Sequence, residues 1–154
     1  MALLGRIIVI LFALFMATAA AGIAAAIALL GAELHMLGAD PVEHVFFWGT
    51  AAFASGATVI VGFLPILIAV VLAEAFSIRS LLIQAAAGAA ILLLGYYSAG
   101  FIGTYEESID HPPPPISREA EIAAAVGVVF GFTYWLIAGR NAGRWRRNER
   151  GVVT

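Results

Sequence analysis

The sequence predicts an all-α, polytopic membrane protein with four transmembrane helices and both termini in the cytoplasm. Three observations carry that prediction. Of the 154 residues, 62% are apolar and only 12% charged, against about 45–50% and about 25% in a soluble domain. Four long apolar runs cross the chain, none with the alternation of a barrel strand. The arginines gather in alternate connections. A mean hydropathy of +0.99 makes the first point again. This composition excludes a water-soluble enzyme, a disordered tail and a nucleic-acid binder.

The first run, residues 7–30, follows Arg6 and is long enough for a hydrocarbon core that takes about 20 apolar residues. Arg6, a short apolar stretch and Ala17-Thr18-Ala19 also resemble a cleavable signal peptide, but the run continues to Leu30 without a polar break. An uncleaved span is therefore expected. Gly38 is placed to end this helix. Asp40-Pro41-Val42-Glu43 then reads as the next start, with Asp40 as cap, Pro41 at the first helical position and Glu43 reaching back.

The second run, residues 45–73, belongs to a helix expected to reach about Phe76. At 1.5 Å per residue that is about 50 Å, so it must tilt, kink or protrude. Pro65 offers the kink by leaving the carbonyl of residue 61 without its donor. The link around Ser77 to Arg79 is only a few residues, which predicts a tight antiparallel hairpin with the third run, residues 81–102.

The outer connection 104–117 is acidic and Pro-rich, with Glu106, Glu107 and Asp110 ahead of Pro112 to Pro115. Consecutive prolines favour an extended, stiff spacer. Ser117 can cap the fourth helix, and Glu119 and Glu121 suit the positive end of its dipole. The fourth span, residues 120–138, leads into a basic tail, 140–154.

Arg6, Arg79, Arg140, Arg144, Arg146, Arg147 and Arg150 fall on one side of this layout and only Arg118 on the other. The positive-inside rule makes the Arg-rich side cytoplasmic. The formal charge of −2 thus separates into two layers. Seven Arg against Glu74 and Glu149 leave +5 inside, and Arg118 against eight carboxylates leaves −7 outside. Phe46, Phe47, Trp48, Tyr96, Tyr97 and Tyr105 fall near the outer interface, and Tyr134, Trp135 and Trp145 near the inner one.

Little in the chain suits chemistry. There is no Cys, and all eight basic residues are Arg. Thiolate nucleophiles, Fe–S clusters and Schiff-base lysines are excluded. Arg as the sole base in an Ala- and Gly-rich chain reads as a GC-rich bacterial composition. His35, His44 and His111 lie in outer connections, at the wrong depth for a bis-His haem. Together with Glu33, Asp40 and Glu43 they match no metal-ligand spacing. No cofactor, no metal and no enzymatic activity are expected.

Glu74 is the one carboxylate at the inner end of a span. It reads as an interfacial group paired with Arg79 across the turn. The sharper alternative is a proton-carrying carboxylate of a small oligomeric transporter or channel, with Pro65 as the gating kink. Gln84, Ser55, Thr58, Ser98 and Thr133 read as hydrogen-bond partners between helices.

Small-residue stripes are the strongest packing signal. Ala123, Gly127 and Gly131 recur every four residues, and Gly139 and Gly143 continue the register. Ala17, Ala21 and Ala25 form a second stripe, and Gly95, Ala99 and Gly103 a third. Such faces pack helices within the chain or meet a partner. Arg140, Arg144, Arg146, Arg147 and Arg150 form a lipid-facing basic cluster, with Arg140, Arg144 and Arg147 on one face if the last helix continues. Each Arg near an anionic cytoplasmic leaflet contributes about 1 kcal/mol.

The stretch Tyr134-Trp135-Leu136-Ile137-Ala138-Gly139-Arg140-Asn141-Ala142-Gly143 resembles the closing segment of a group of small, Ala-rich, four-span inner-membrane proteins of Gram-negative bacteria. The resemblance covers residues 131–143, about a tenth of the chain, in detail, and rests there on Tyr134, Trp135, Ala138, Gly139, Arg140, Ala142 and Gly143. It implies a bacterial inner-membrane protein and no particular reaction. Small multidrug exporters carry a Glu in mid-span of their first helix, which is uncharged here between Arg6 and Glu33. Quinone-linked disulfide oxidoreductases need Cys pairs. The expected function is a non-enzymatic accessory, assembly or scaffold subunit of a larger bacterial inner-membrane complex.

Overall fold

Four helices account for nearly all of the described chain. The computed structural model describes residues 2–30, 41–99 and 116–143. Helix α1 spans Ala2–Leu30, α2 Pro41–Ala75, α3 Leu81–Ser98 and α4 Arg118–Ile137, followed by a 3-10 turn at Gly139–Asn141. Within the described residues, Leu4–Leu30, Leu81–Ser98 and Arg118–Ile137 are long and apolar enough to cross a membrane. Helix α2 adds a fourth crossing if its two halves count as one.

Those halves, Pro41–Ile60 and Gly62–Ala75, are inclined at 64° to each other. They meet at residue 61, four positions before Pro65. A proline supplies no N–H to the carbonyl four residues back, and its ring crowds that carbonyl. Helix α2 begins at Pro41, whose fixed φ suits a first helical residue. The expected cap Asp40, the expected stop Gly38 and the outer loop up to residue 115 lie outside the described residues. At the start of α4, Ser117 Oγ accepts from the Ala120 N–H at 3.2 Å. The Tyr96 hydroxyl lies 3.3 Å from the same oxygen and ties the end of α3 to the start of α4.

The helices run up and down in a ring. Contacts are extensive between α3 and α4, α1 and α2, and α1 and α4. Helices α2 and α3 touch least, although only a short turn joins them. The expected hairpin is therefore present as a turn but is not the main pairing. Bulky Ile66 and Val70 of α2 face α3 across a small cleft, whereas glycines bring α3 and α4 into backbone contact.

That contact is specific. A Cβ at Gly127 would overlap the Gly88 carbonyl, and one at Gly131 would overlap the Gln84 carbonyl. Gly127 and Gly131 are thus taken up inside the chain by α3. The stripe expected on α3 is displaced. Gly95 is only half-buried and Ala99 is exposed, while Gln84 and Gly88 face α4. Gly103 lies outside the described residues. On α1 the stripe Ala17, Ala21 and Ala25 is buried, extended by Ala13, against Ile66, Val126, Phe130 and Tyr134. Gly22 sits so close to α2 that a Cβ would meet Ser55 and the Ala51 carbonyl. Ala26, Phe47 and Ala51 form a smaller core beyond it.

Candidate functional site

The polar groups of the bundle converge at the end where α1 and α3 start and α2 and α4 finish. Arg6 lies one turn into α1, and Glu74 lies in the last turn of α2. Arg6 Nε donates to Glu74 Oε1 at 3.0 Å, and Nη2 of Arg6 makes a second bond to the same oxygen. Nη2 also donates to the Ala138 carbonyl at 2.8 Å. The other carboxylate oxygen, Oε2, accepts from the Gly143 N–H at 3.1 Å. Both side chains are largely withdrawn from the surface, at 12% and 14% exposed. A charge in that setting is costly unless paired and hydrogen-bonded, and here one clasp joins α1, α2 and the segment after α4.

Glu74 was expected to pair with Arg79, five residues on. It pairs with Arg6 instead. Arg79 sits beyond the end of α2 and its Nε donates to the Ala142 carbonyl at 3.0 Å. Trp135 Nε1 donates to the Arg79 carbonyl at 2.8 Å. The 76–80 turn is thereby held from both sides.

The segment after α4 is shaped to reach these partners. The helix stops at Ile137, and the Ala138 carbonyl is taken by Arg6 and by the Asn141 N–H. Gly143 has φ +70°, in the left-handed region that favours glycine. A Cβ there would also overlap the Ser77 side chain. A Cβ on Gly139 would press on the Gln84 amide at 3.2 Å, and that amide donates to the Ile78 carbonyl at 3.2 Å. The last helix therefore does not continue through residues 138–143, the condition on which a shared face of Arg140, Arg144 and Arg147 was expected. Arg140 is exposed in the 3-10 turn. Arg144, Arg146, Arg147 and Arg150 lie outside the described residues.

Five of the ten positions in the Tyr134–Gly143 stretch contribute to this end of the bundle. Trp135, Ala138, Ala142 and Gly143 bond to it, and Gly139 admits Gln84. Tyr134 is buried, and its hydroxyl has no hydrogen-bond partner among the described residues. The pattern was visible in the sequence, but its partners Arg6 and Glu74 were not.

The remaining candidates are placed as follows. Ser55 lies between helices, its single hydroxyl proton shared between Ala51 O at 2.8 Å on its own helix and Thr18 O at 3.3 Å on α1. Thr58 and Thr133 do not bridge as expected. Each bonds back to its own helix, at Ala54 O and Val129 O, a common resort of hydroxyls in apolar helices. Ser98 is exposed. Ala123 is half-buried, one turn before Gly127. Pro65 is half-buried beside the bend, nine residues from Glu74. His44 is exposed, and His35 and His111 lie outside the described residues. Among the described residues no three His, Cys, Asp or Glu side chains gather as a metal site.

A further concavity lies elsewhere among the described residues. A cavity of about 550 Å³ opens sideways between α1 and the bent part of α2, lined by Leu14, Thr18, Ser55, Gly56, Phe63 and Leu67 among others. No family model matches the chain, and neither a curated protein nor a solved structure does.

Proposed function

We propose that this protein is a non-enzymatic accessory, assembly or scaffold subunit of a larger complex in a bacterial inner membrane, with both termini cytoplasmic. One observation carries the reading. Glu74, the one part-buried carboxylate of the Arg-rich end among the described residues, is engaged on both oxygens, by Arg6 and by the Gly143 N–H. A group used in transport or acid–base chemistry must release its partners, whereas a group that fixes helices must hold them. The Tyr134–Gly143 stretch, on which the resemblance to Gram-negative inner-membrane proteins rests, supports the same reading by closing that clasp. The placement of Arg6, Arg79 and Arg140 at one end of the ring and Arg118 at the other supports the orientation. The exposed Arg140 suits an anionic cytoplasmic leaflet.

Purification of the tagged full-length protein in mild detergent tests this. A stoichiometric larger membrane partner is expected, and a clean monomer or homodimer counts against it. A second reading, a small oligomeric transporter using Pro65 and Glu74, draws on the 64° bend in α2. It requires flux in reconstituted vesicles that Glu74→Gln abolishes.

A further inference from the structure

We propose that the cavity between α1 and α2 is a binding site for one acyl chain of a membrane phospholipid. This goes beyond the subunit role and stands whether or not a partner is found. The cavity sits at mid-depth. Thr18 lies 12 residues from Arg6 and 12 from Leu30, about 18 Å from each along the helix at 1.5 Å per residue.

Its walls offer a ligand nothing but hydrocarbon contact. The only side-chain polar groups among the lining residues are Thr18 and Ser55. Both hydroxyls already donate to backbone carbonyls, Thr18 to Leu14 at 2.8 Å and Ser55 to Ala51 at 2.8 Å. The occupant is therefore apolar where it touches the protein.

Size selects a chain. A cavity of about 150 Å³ takes one benzene, so 550 Å³ holds roughly twenty carbons by that scale. Along α2 the lining runs from Ser55 to Leu67, two arms of about 9 Å inclined at 64°, or about 15 Å end to end. One leaflet of a hydrocarbon core is about 15 Å thick, so a single acyl chain matches both length and volume. A partner helix matches neither. On α1 the wall runs only from Leu14 to Ala19, about 8 Å, and a helix with side chains is about 10–12 Å across.

The bend creates the site. Phe63, Ile66 and Leu67 lie on the second half of α2, and Ser55, Gly56 and Val59 on the first. Gly22 and Ser55 keep the helices in contact beyond the cavity, and Arg6 and Glu74 keep them together before it. Between these two ties the helices part.

Gly56 provides the test, because a Cβ there meets no atom within 4 Å. A larger side chain enters open space rather than the packed bundle. The full-length protein, washed in mild detergent, is examined by native mass spectrometry and by extraction of bound lipid. One phospholipid per chain is expected on the unaltered protein, with at least five-fold lower occupancy on G56L and an unchanged melting temperature. In a chain without Cys, G56C carries the only thiol. A photo-crosslinker attached to it in native membranes is expected to form adducts with phospholipid acyl chains, which decides the matter even if G56L melts early. The proposal is overturned by absence of bound lipid, by equal retention on well-folded G56L, or by crosslinks to an isoprenoid tail or a polypeptide.

Discussion

Arg6 and Glu74 stand 68 residues apart in the chain and form the one ion pair among the described residues. The pair closes the Arg-rich end of the ring, and its surroundings make its removal asymmetric. Loss of one partner strands a buried charge, whereas loss of both does not. Glu74→Gln and Arg6→Met are each expected to lower stability by about 3 kcal/mol. The double change to Met at both positions is expected to lose less than the two single changes together. Denaturant titration of all four forms in one detergent measures the coupling, and strict additivity would remove the clasp's energetic role.

The backbone contact of α3 and α4 makes its own prediction. Gly127→Ala must push α4 off the Gly88 carbonyl and is expected to destabilise by about 1–3 kcal/mol. Gly49 has open space where a Cβ would stand, so Gly49→Ala should be neutral or slightly stabilising, given alanine's helical advantage of about 0.5–1 kcal/mol. Thermal melts of the two variants separate crowding from propensity.

Gly143 and Ser77 meet where the tail crosses the 76–80 turn. Gly143→Ala meets two penalties, the positive φ and the overlap with the Ser77 side chain. The first alone is worth about 1–2 kcal/mol. Ser77 itself has φ 52°, so Ser77→Gly is expected to relieve strain at its own position. It should also rescue part, but not all, of the loss in Gly143→Ala. A melting curve for the double variant no higher than for Gly143→Ala would place the difficulty entirely in the backbone of Gly143.

Trp135→Phe removes one neutral hydrogen bond, from Nε1 to the Arg79 carbonyl, while keeping an aromatic ring. Its expected effect is about 1 kcal/mol, well below that of Glu74→Gln. Protease cleavage at Arg79 is expected to accelerate in this variant, because the exposed turn loses a tether.

Three helices long and apolar enough to span, with a fourth if the halves of α2 count as one, were legible in the sequence because hydropathy alone marks them. Pro65 disclosed its bend because the cause lies within one helical turn. The α1 stripe was legible for a similar reason, since Ala17, Ala21 and Ala25 share a face by spacing. The partner of Glu74 was not. Arg79 was the nearest base in sequence, and only the folded ring brings Arg6 closer. The face of α3 was misplaced because Gly95 and Ala99 have the right spacing, whereas the position of α4 selects Gly88. The end of α4 was legible to within a residue, with Ala138 expected and Ile137 observed. The helix stops where Arg6 takes the Ala138 carbonyl and Gly143 turns back to Glu74.

The clasp also imposes an order of assembly. A chain is made from its N-terminus, so Arg6 and Glu74 both exist once α2 has emerged. The Ala138 carbonyl and the Gly143 N–H come only after α4. Until then one oxygen of Glu74 has no donor from the tail, and the glycine faces of α3 have no α4 to receive them. The last ten residues of the ring thus act as a completion signal. They convert two provisional hairpins into a closed bundle, and an interrupted chain is left with a half-satisfied charge at the membrane boundary.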